Sequence, residues 1–154
     1  MKKILIPVFV LCFCIGFVVT YFSDERVIKR TLKKAVRSAE QEQMRGSLGV
    51  IARKYRDPYG KDYEWIAGIL HSLFQSVDDI RISYTITACA VEEEEATVSL
   101  IFKVSGTQEG KRTMIVGTVD ESARAILEME KIHGSWKIVS TAELLIPGVD
   151  VDDL

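Results

Sequence analysis

Cysteine, histidine and proline are scarce in this chain: among 154 residues there are three Cys, two His and three Pro. Cys12 and Cys14 lie inside an apolar run, so Cys89 is the one cysteine outside it and no disulfide framework can form. There is no Cys-x-x-Cys, no His-Glu-x-x-His and no acidic loop with calcium-binding spacing, which leaves a dedicated metal site without support. Gly-x-Gly-x-x-Gly and Gly-x-x-x-x-Gly-Lys are also missing, which removes the usual nucleotide cradles, and no cofactor is expected. Nor is there an excess of positive charge. With Lys2 and Lys3 set aside, 18 of the 20 basic residues stand against 22 acidic ones, so general nucleic-acid binding is disfavoured.

Apolar residues make up 47% of the chain and charged residues 27%, a balance that fits one compact core and argues against disorder. The first feature is a run without charge from Ile4 to Phe22. At the helical rise it spans about 28 Å, close to the hydrocarbon thickness of a bilayer. Lys2-Lys3 before an apolar run is also how a cleavable signal peptide begins. The exit Thr20-Tyr21-Phe22-Ser23 lacks a small-x-small cleavage pattern, and neither Cys12 nor Cys14 follows a small residue as in a lipoprotein. The expectation is an uncleaved, single-pass signal-anchor over residues 1–23 that holds the protein to a membrane through residues 4–22. Arg26, Lys29, Arg30, Lys33, Lys34 and Arg37 pull the C-terminal side inward by the positive-inside rule. The short two-lysine tail resembles an ordinary export signal, and the exit opens on Ser23-Asp24-Glu25, so the soluble domain is placed outside the cytoplasm.

Beyond the anchor the pattern predicts an α+β domain over residues 24–146 and an acidic tail over 147–154. Ser23 is a suitable cap for a helix reaching about Gln43, with Ile28, Leu32, Ala35, Val36 and Ala39 on one side and Arg26, Arg30, Lys33, Lys34 and Arg37 on the other. That basic side is either a solvated face or a contact for anionic lipid head groups. Gly46 breaks the pattern, and Ser47 caps a short second helix through Leu48, Ile51, Ala52 and Tyr55. Asp57-Pro58-Tyr59-Gly60 is a turn. A third helix from about Asp62 to Val77 carries Trp65, Ile66, Ile69, Leu70, Leu73, Phe74 and Val77, a stripe wide enough for the centre of a core.

Near Asp79 the rhythm changes from helical to alternating. Ile80, Ile82, Tyr84, Ile86, Ala88 and Ala90 point one way along a strand, with Cys89 on the opposite face as a buried or half-buried inert thiol. Ala96, Val98, Leu100, Phe102 and Val104 form its antiparallel partner across Glu92-Glu93-Glu94-Glu95, an acidic run whose ordinary role is solvation of a hairpin tip. Residues 106–110 are expected to be a loop, and 111–119 either a strand or a crossing segment. Gly134-Ser135 suits a type II′ turn that pairs His133 with Trp136. This register puts Ala125, Leu127 and Met129 on the face of Trp136, Ile138, Ala142 and Leu144.

Three helices followed by an antiparallel sheet, with Gly134-Ser135-Trp136-Lys137-Ile138 at the last hairpin and a preceding helix bearing Trp65, Leu70 and Phe74, resembles the nuclear transport factor 2-like (NTF2-like, cystatin-like α+β) superfamily over about Asp24 to Leu144. The resemblance implies a cone in which a curved sheet wraps a long helix and leaves a pocket at its open end. Its members include isomerase-, cyclase- and dehydratase-type enzymes and many non-catalytic binding domains, so fold does not fix function. A membrane helix ahead of such a domain also resembles the VirB8-like inner-membrane components of bacterial secretion channels, structural subunits of an envelope complex.

The pocket candidates are Tyr55, Asp57, Tyr59, Trp65 and His71. An isomerase-like site needs a base and an oxyanion donor, for which Asp57, the tyrosines and His71 are the available groups. Each has a plainer role: Tyr55 continues an apolar stripe, Asp57 and Tyr59 belong to a turn, and His71 sits on a helix flank. No catalytic residue is assigned. The function expected is a tethered, non-enzymatic domain that binds a partner protein or a small apolar ligand, or associates with itself. The competing expectation is acid–base chemistry on a small hydrophobic substrate. A pocket plugged by Trp65, Phe74 or Trp136 favours the first.

Overall fold

A computed structural model describes residues 24–149. The apolar run 4–22, the cap Ser23 and the acidic end beyond Val149 lie outside the described residues. Among the described residues no helix is long and apolar enough to cross a membrane.

Helix α1 covers residues 24–40 and is three residues shorter than its periodicity suggests. Ile28 and Leu32 are buried on its inner side, and Ala35 packs beside them against Val91, Val98, Met129, Trp136 and Ile138. Asp24 fastens the first described turn of this helix to the sheet: Oδ1 accepts from Lys131 Nζ at 2.9 Å and from Trp136 Nε1 at 3.3 Å. The Lys131 hydrogen bond is the main reason the Asp24 carboxyl is held below its ordinary value.

Helix α2 is only Met44–Leu48. Ser47 is inside it rather than capping it, with a buried hydroxyl that donates to the Gln43 carbonyl at 2.9 Å. Gly46 does not end the helix but allows it to approach α1, because a Cβ there would lie 2.3 Å from Ser38 Oγ. The predicted continuation through Tyr55 is not helical. Ala52 N donates to the Ile138 carbonyl, Ile138 N to the Val50 carbonyl and Arg56 N to the Val139 carbonyl, so this stretch runs parallel to the last strand. Val50, Ala52 and Tyr55 are buried at every second or third position, a spacing that an extended chain and a helix partly share.

Helix α3 is Tyr63–Ser76, capped by Asp62, whose side chain accepts from Trp65 N. Its broad stripe is not the centre of the core. Tyr63 is the one buried residue in it, Ile69 is 49% exposed, and the other apolar side chains are half-covered at the rim. Ile66 reaches the main cluster, while Leu73 and Phe74 pack with Val77, Ile80 and Val104 in a smaller one.

Five antiparallel strands follow: β1 Asp78–Glu92, β2 Glu95–Gln108, β3 Lys111–Val116, β4 Ala123–Ile132 and β5 Ser135–Leu145. They run β1-β2-β4-β5, with β3 also on β2. Along one edge β2 pairs first with β4, over Glu95 to Phe102, and then with β3, over Val104 to Gln108. The predicted loop at 106–110 is therefore mostly strand, closed by a tight Glu109-Gly110 turn with both φ positive.

Two further expectations are corrected by irregular pairing. Between Ile86 and Ala88 the register of β1 slips by one residue, which reverses the alternation. Val91 is thereby buried and Cys89 turns towards the core, where burial raises its thiol pKa; Ala88 and Ala90 face solvent. The last hairpin turns on His133-Gly134, one residue earlier than expected, both with positive φ, so Lys131 pairs with Trp136. Two register shifts later in the hairpin restore the Ala125–Leu144 pairing but bring Thr141, not Ala142, opposite Leu127.

Candidate functional site

The extended stretch that lies alongside β5 turns sharply at Asp57. Asp57 Oδ1 accepts from the backbone N–H of Tyr59 at 3.0 Å and of Lys61 at 2.8 Å, and Asp57 N donates to the Lys61 carbonyl. Gly60 supplies the positive φ, 78°, that closes the loop. The chain then enters α3 through the Asp62 cap, which fixes Trp65 one turn in.

This loop brings four of the five candidates together. Tyr55, Asp57, Tyr59 and Trp65, joined by Lys61, Ile66, Thr141 and Leu144, line a cavity of about 80 Å³. The Tyr55 hydroxyl lies 3.0 Å from Thr141 Oγ1 and 3.4 Å from Asp57 Oδ2. The first is an ordinary hydrogen bond and the second is long for one between oxygens. Lys61 Nζ stands 4.7 Å above the Trp65 ring, a cation–π contact that covers the indole. His71 is elsewhere: it is exposed on α3, its Nε2 3.0 Å from the Gln75 amide nitrogen one turn on. Thr141 and Lys61 were not singled out from the sequence. Lys61 was within reach as a neighbour of the turn, but Thr141 enters only through the β5 register shifts, which carry no sequence signature.

Burial pushes the Tyr55 phenol above its ordinary value and the Asp57 charge adds to this, against the Thr141 hydrogen bond. Tyr55 is thus held as a neutral donor. A raised value in the fold means stability that is intact below the unfolded-state value of about 10 and is lost as pH rises through the folded one. An alkaline absorbance titration should show a phenolate step above pH about 10 that Tyr55→Phe removes. A titration unchanged by that substitution would contradict the assigned burial.

The larger concavities are open grooves. One of about 1030 Å³ is lined by Tyr59, Arg124, Leu145 and Val149 among others. Another, of about 940 Å³, runs between α2 and the last hairpin. Among the described residues no group of three or more His, Cys, Asp or Glu is placed to hold a metal ion.

No protein-family model matches the chain. No curated protein matches it either. Solved structures do. An NTF2-like protein with a cystatin-like fold from Novosphingobium aromaticivorans superposes with a TM-score of 0.68 at 11% identity, covering 89% of this chain and 90% of its own. A protein of unknown function from Mycobacterium tuberculosis gives 0.69 at 14% identity, covering 87% and 81%. A ketosteroid isomerase-like protein from Erwinia carotovora gives 0.60 at 12% identity, covering 80% and 96%. At these identities the likeness establishes the fold: the domain is an NTF2-like, cystatin-like α+β fold with a curved antiparallel sheet.

Proposed function

We propose that this NTF2-like domain is a non-enzymatic binding module, tethered to a membrane by residues 4–22 on the extracytoplasmic side, whose ligand is another protein. The observation that carries this reading is the small cavity beside the candidate residues. Pockets that take small organic ligands measure roughly 300–1,000 Å³, whereas this one holds about 80 Å³ with the Trp65 indole in its wall. Its polar groups are engaged with one another. Asp57 Oδ1 is bound to two backbone N–H groups, which assigns this carboxylate to holding the loop, and the Tyr55 hydroxyl is bound to Thr141. Outside, Tyr59, Leu145 and Val149 are exposed and line the same open groove beside Asp120, Glu121 and Arg124, a mixed apolar and charged surface of the kind that protein contacts use.

The adjacency of Tyr55 and Asp57 favours a second reading, an acid–base enzyme acting on a small hydrophobic substrate, and a ketosteroid isomerase-like protein is among the structures of similar fold. It requires the cavity to open to a substrate beside Asp57 Oδ2, the carboxylate oxygen that the two loop amides do not hold. A VirB8-like role as an envelope-complex subunit falls within the first reading, with the complex as partner.

Photo-crosslinking in intact cells from a reactive side chain at Leu145, with Glu64 as an exposed control, separates these. The reading expects one defined protein to be captured at Leu145 and not at Glu64. Capture of the chain alone would identify self-association, and no specific product at Leu145 would overturn the docking surface. A reporter fused after Leu154 that functions only outside the cytoplasm tests the side of the membrane. Its failure beside a working cytoplasmic reporter would reverse that assignment.

A further inference from the structure

Helix α1 carries three acids, and all three are engaged away from its outer side. Asp24 is bound to Lys131 and Trp136, Glu25 pairs with Lys29, and Glu40 accepts from Ile82 N at 3.0 Å. The outer side retains Arg30, Lys33, Lys34 and Arg37. All four are exposed, and none has an ion pair among the described residues. Their spacing, i, i+3, i+4, i+7, sets them in one column opposite Ile28, Leu32 and Ala35. Two pairs of like charge, Arg30 with Lys34 and Lys33 with Arg37, face each other one turn apart, which weakens an isolated helix. Among the described residues no ion pair uses this column, and it stands on a chain whose net charge is negative.

The geometry points to this column as a docking face for anionic lipid head groups at the bilayer surface. The charge is complementary to head-group phosphate, and the position selects the lipid source. Only Ser23 separates Phe22, the end of the apolar run, from Asp24, the first described residue of α1. Two peptide units hold those ends within about 8 Å. Where the apolar run is embedded, the bilayer surface is thus present at high effective concentration beside the helix, as no acidic protein or nucleic acid would be. Docking would lay α1 along the membrane with the sheet turned away from it. The inference rests on the tethered reading above, and its test is chosen so that the two fail separately.

The full-length chain would be reconstituted into vesicles of phosphatidylcholine alone and of phosphatidylcholine with phosphatidylglycerol, checked by flotation, and its lysines acetylated with a membrane-impermeant reagent and quantified by mass spectrometry. In anionic vesicles Lys33 and Lys34 should react about five-fold more slowly than in neutral ones. Lys61 and Lys111, on other elements, should react equally in both. High salt should abolish the protection because surface electrostatics is screened. The double substitution Arg30→Gln with Arg37→Gln, at exposed positions that leave the buried face intact, should reduce the protection without altering the circular dichroism spectrum. Flotation with both vesicles and equal labelling overturns the docking face and leaves the tether standing. Flotation with anionic vesicles alone upholds the docking face and overturns the tether. Flotation with neither overturns both.

Discussion

Trp136→Ala should destabilise the domain by about 3–5 kcal/mol, the range for removing a large buried aromatic side chain. Natural domains of this size have only about 5–15 kcal/mol in total, so much of the margin goes with one side chain. Trp136 is 1% exposed and belongs to the cluster in which α1, the extended stretch after α2, and β1, β2, β4 and β5 meet. Its indole N–H also donates to Asp24 at the start of α1, and Lys131 lies 5.8 Å from the ring. Truncation therefore leaves a cavity and loosens the attachment of the first helix to the last hairpin. Trp136→Phe keeps most of the packing but loses the N–H, and should cost roughly 1–2 kcal/mol. Denaturant unfolding followed by Trp65 fluorescence, the one remaining tryptophan, measures both. A loss under about 1 kcal/mol for the alanine variant would remove Trp136 from the centre of the core.

That centre was only partly legible in the sequence. The closing hairpin announced itself through Gly134 and the alternation around Trp136, and the switch from helical to alternating rhythm near Asp79 placed the boundary between helices and sheet. What remained hidden was of one kind. An extra residue in a strand moves every following side chain to the other face without any change of composition. Hence Cys89 and Val91 turn inward after the irregularity at Ile86, and Thr141 replaces Ala142 opposite Leu127. The turn at His133-Gly134 competes in the sequence with Gly134-Ser135 one residue on, and His, a residue type that adopts positive φ more readily than most, takes the first position.

Burial misled the reading of α3 for a different reason. A wide apolar stripe records which face is oily, but not how closely the sheet approaches it. Here Tyr55, Thr141 and Leu144 reach α3 around a small gap beside Trp65 and Ile66, and Ile69 is left half in water. In the candidate site, Asp57 through Gly60 was legible because turn chemistry is local. The convergence of that turn with Thr141, a residue distant in sequence, was not.

Gly106→Ala should destabilise the fold by about 1–3 kcal/mol although the position was expected to lie in a permissive loop. Gly106 sits within β2, and a Cβ there would lie 2.1 Å from Val77 Cγ1 and 3.2 Å from the Asp78 carbonyl oxygen. Its φ is outside the left-handed region, so space is the obstacle and not backbone strain. The sign of the effect is diagnostic. Replacing Gly by Ala where there is room stabilises by about 0.4–1 kcal/mol through the unfolded chain, and that gain is expected at Gly68 in α3, where nothing lies within 4 Å of the added carbon. Val77 is buried and anchors the smaller core cluster at the start of β1, so it cannot move aside freely. Val77→Ala removes the atom that collides, and the double variant should be more stable than the sum of the two single losses predicts by about 1 kcal/mol or more. Additive losses, or a Gly106→Ala variant as stable as the parent, would mean that Val77, at the end of α3, and β2 are not held at this distance.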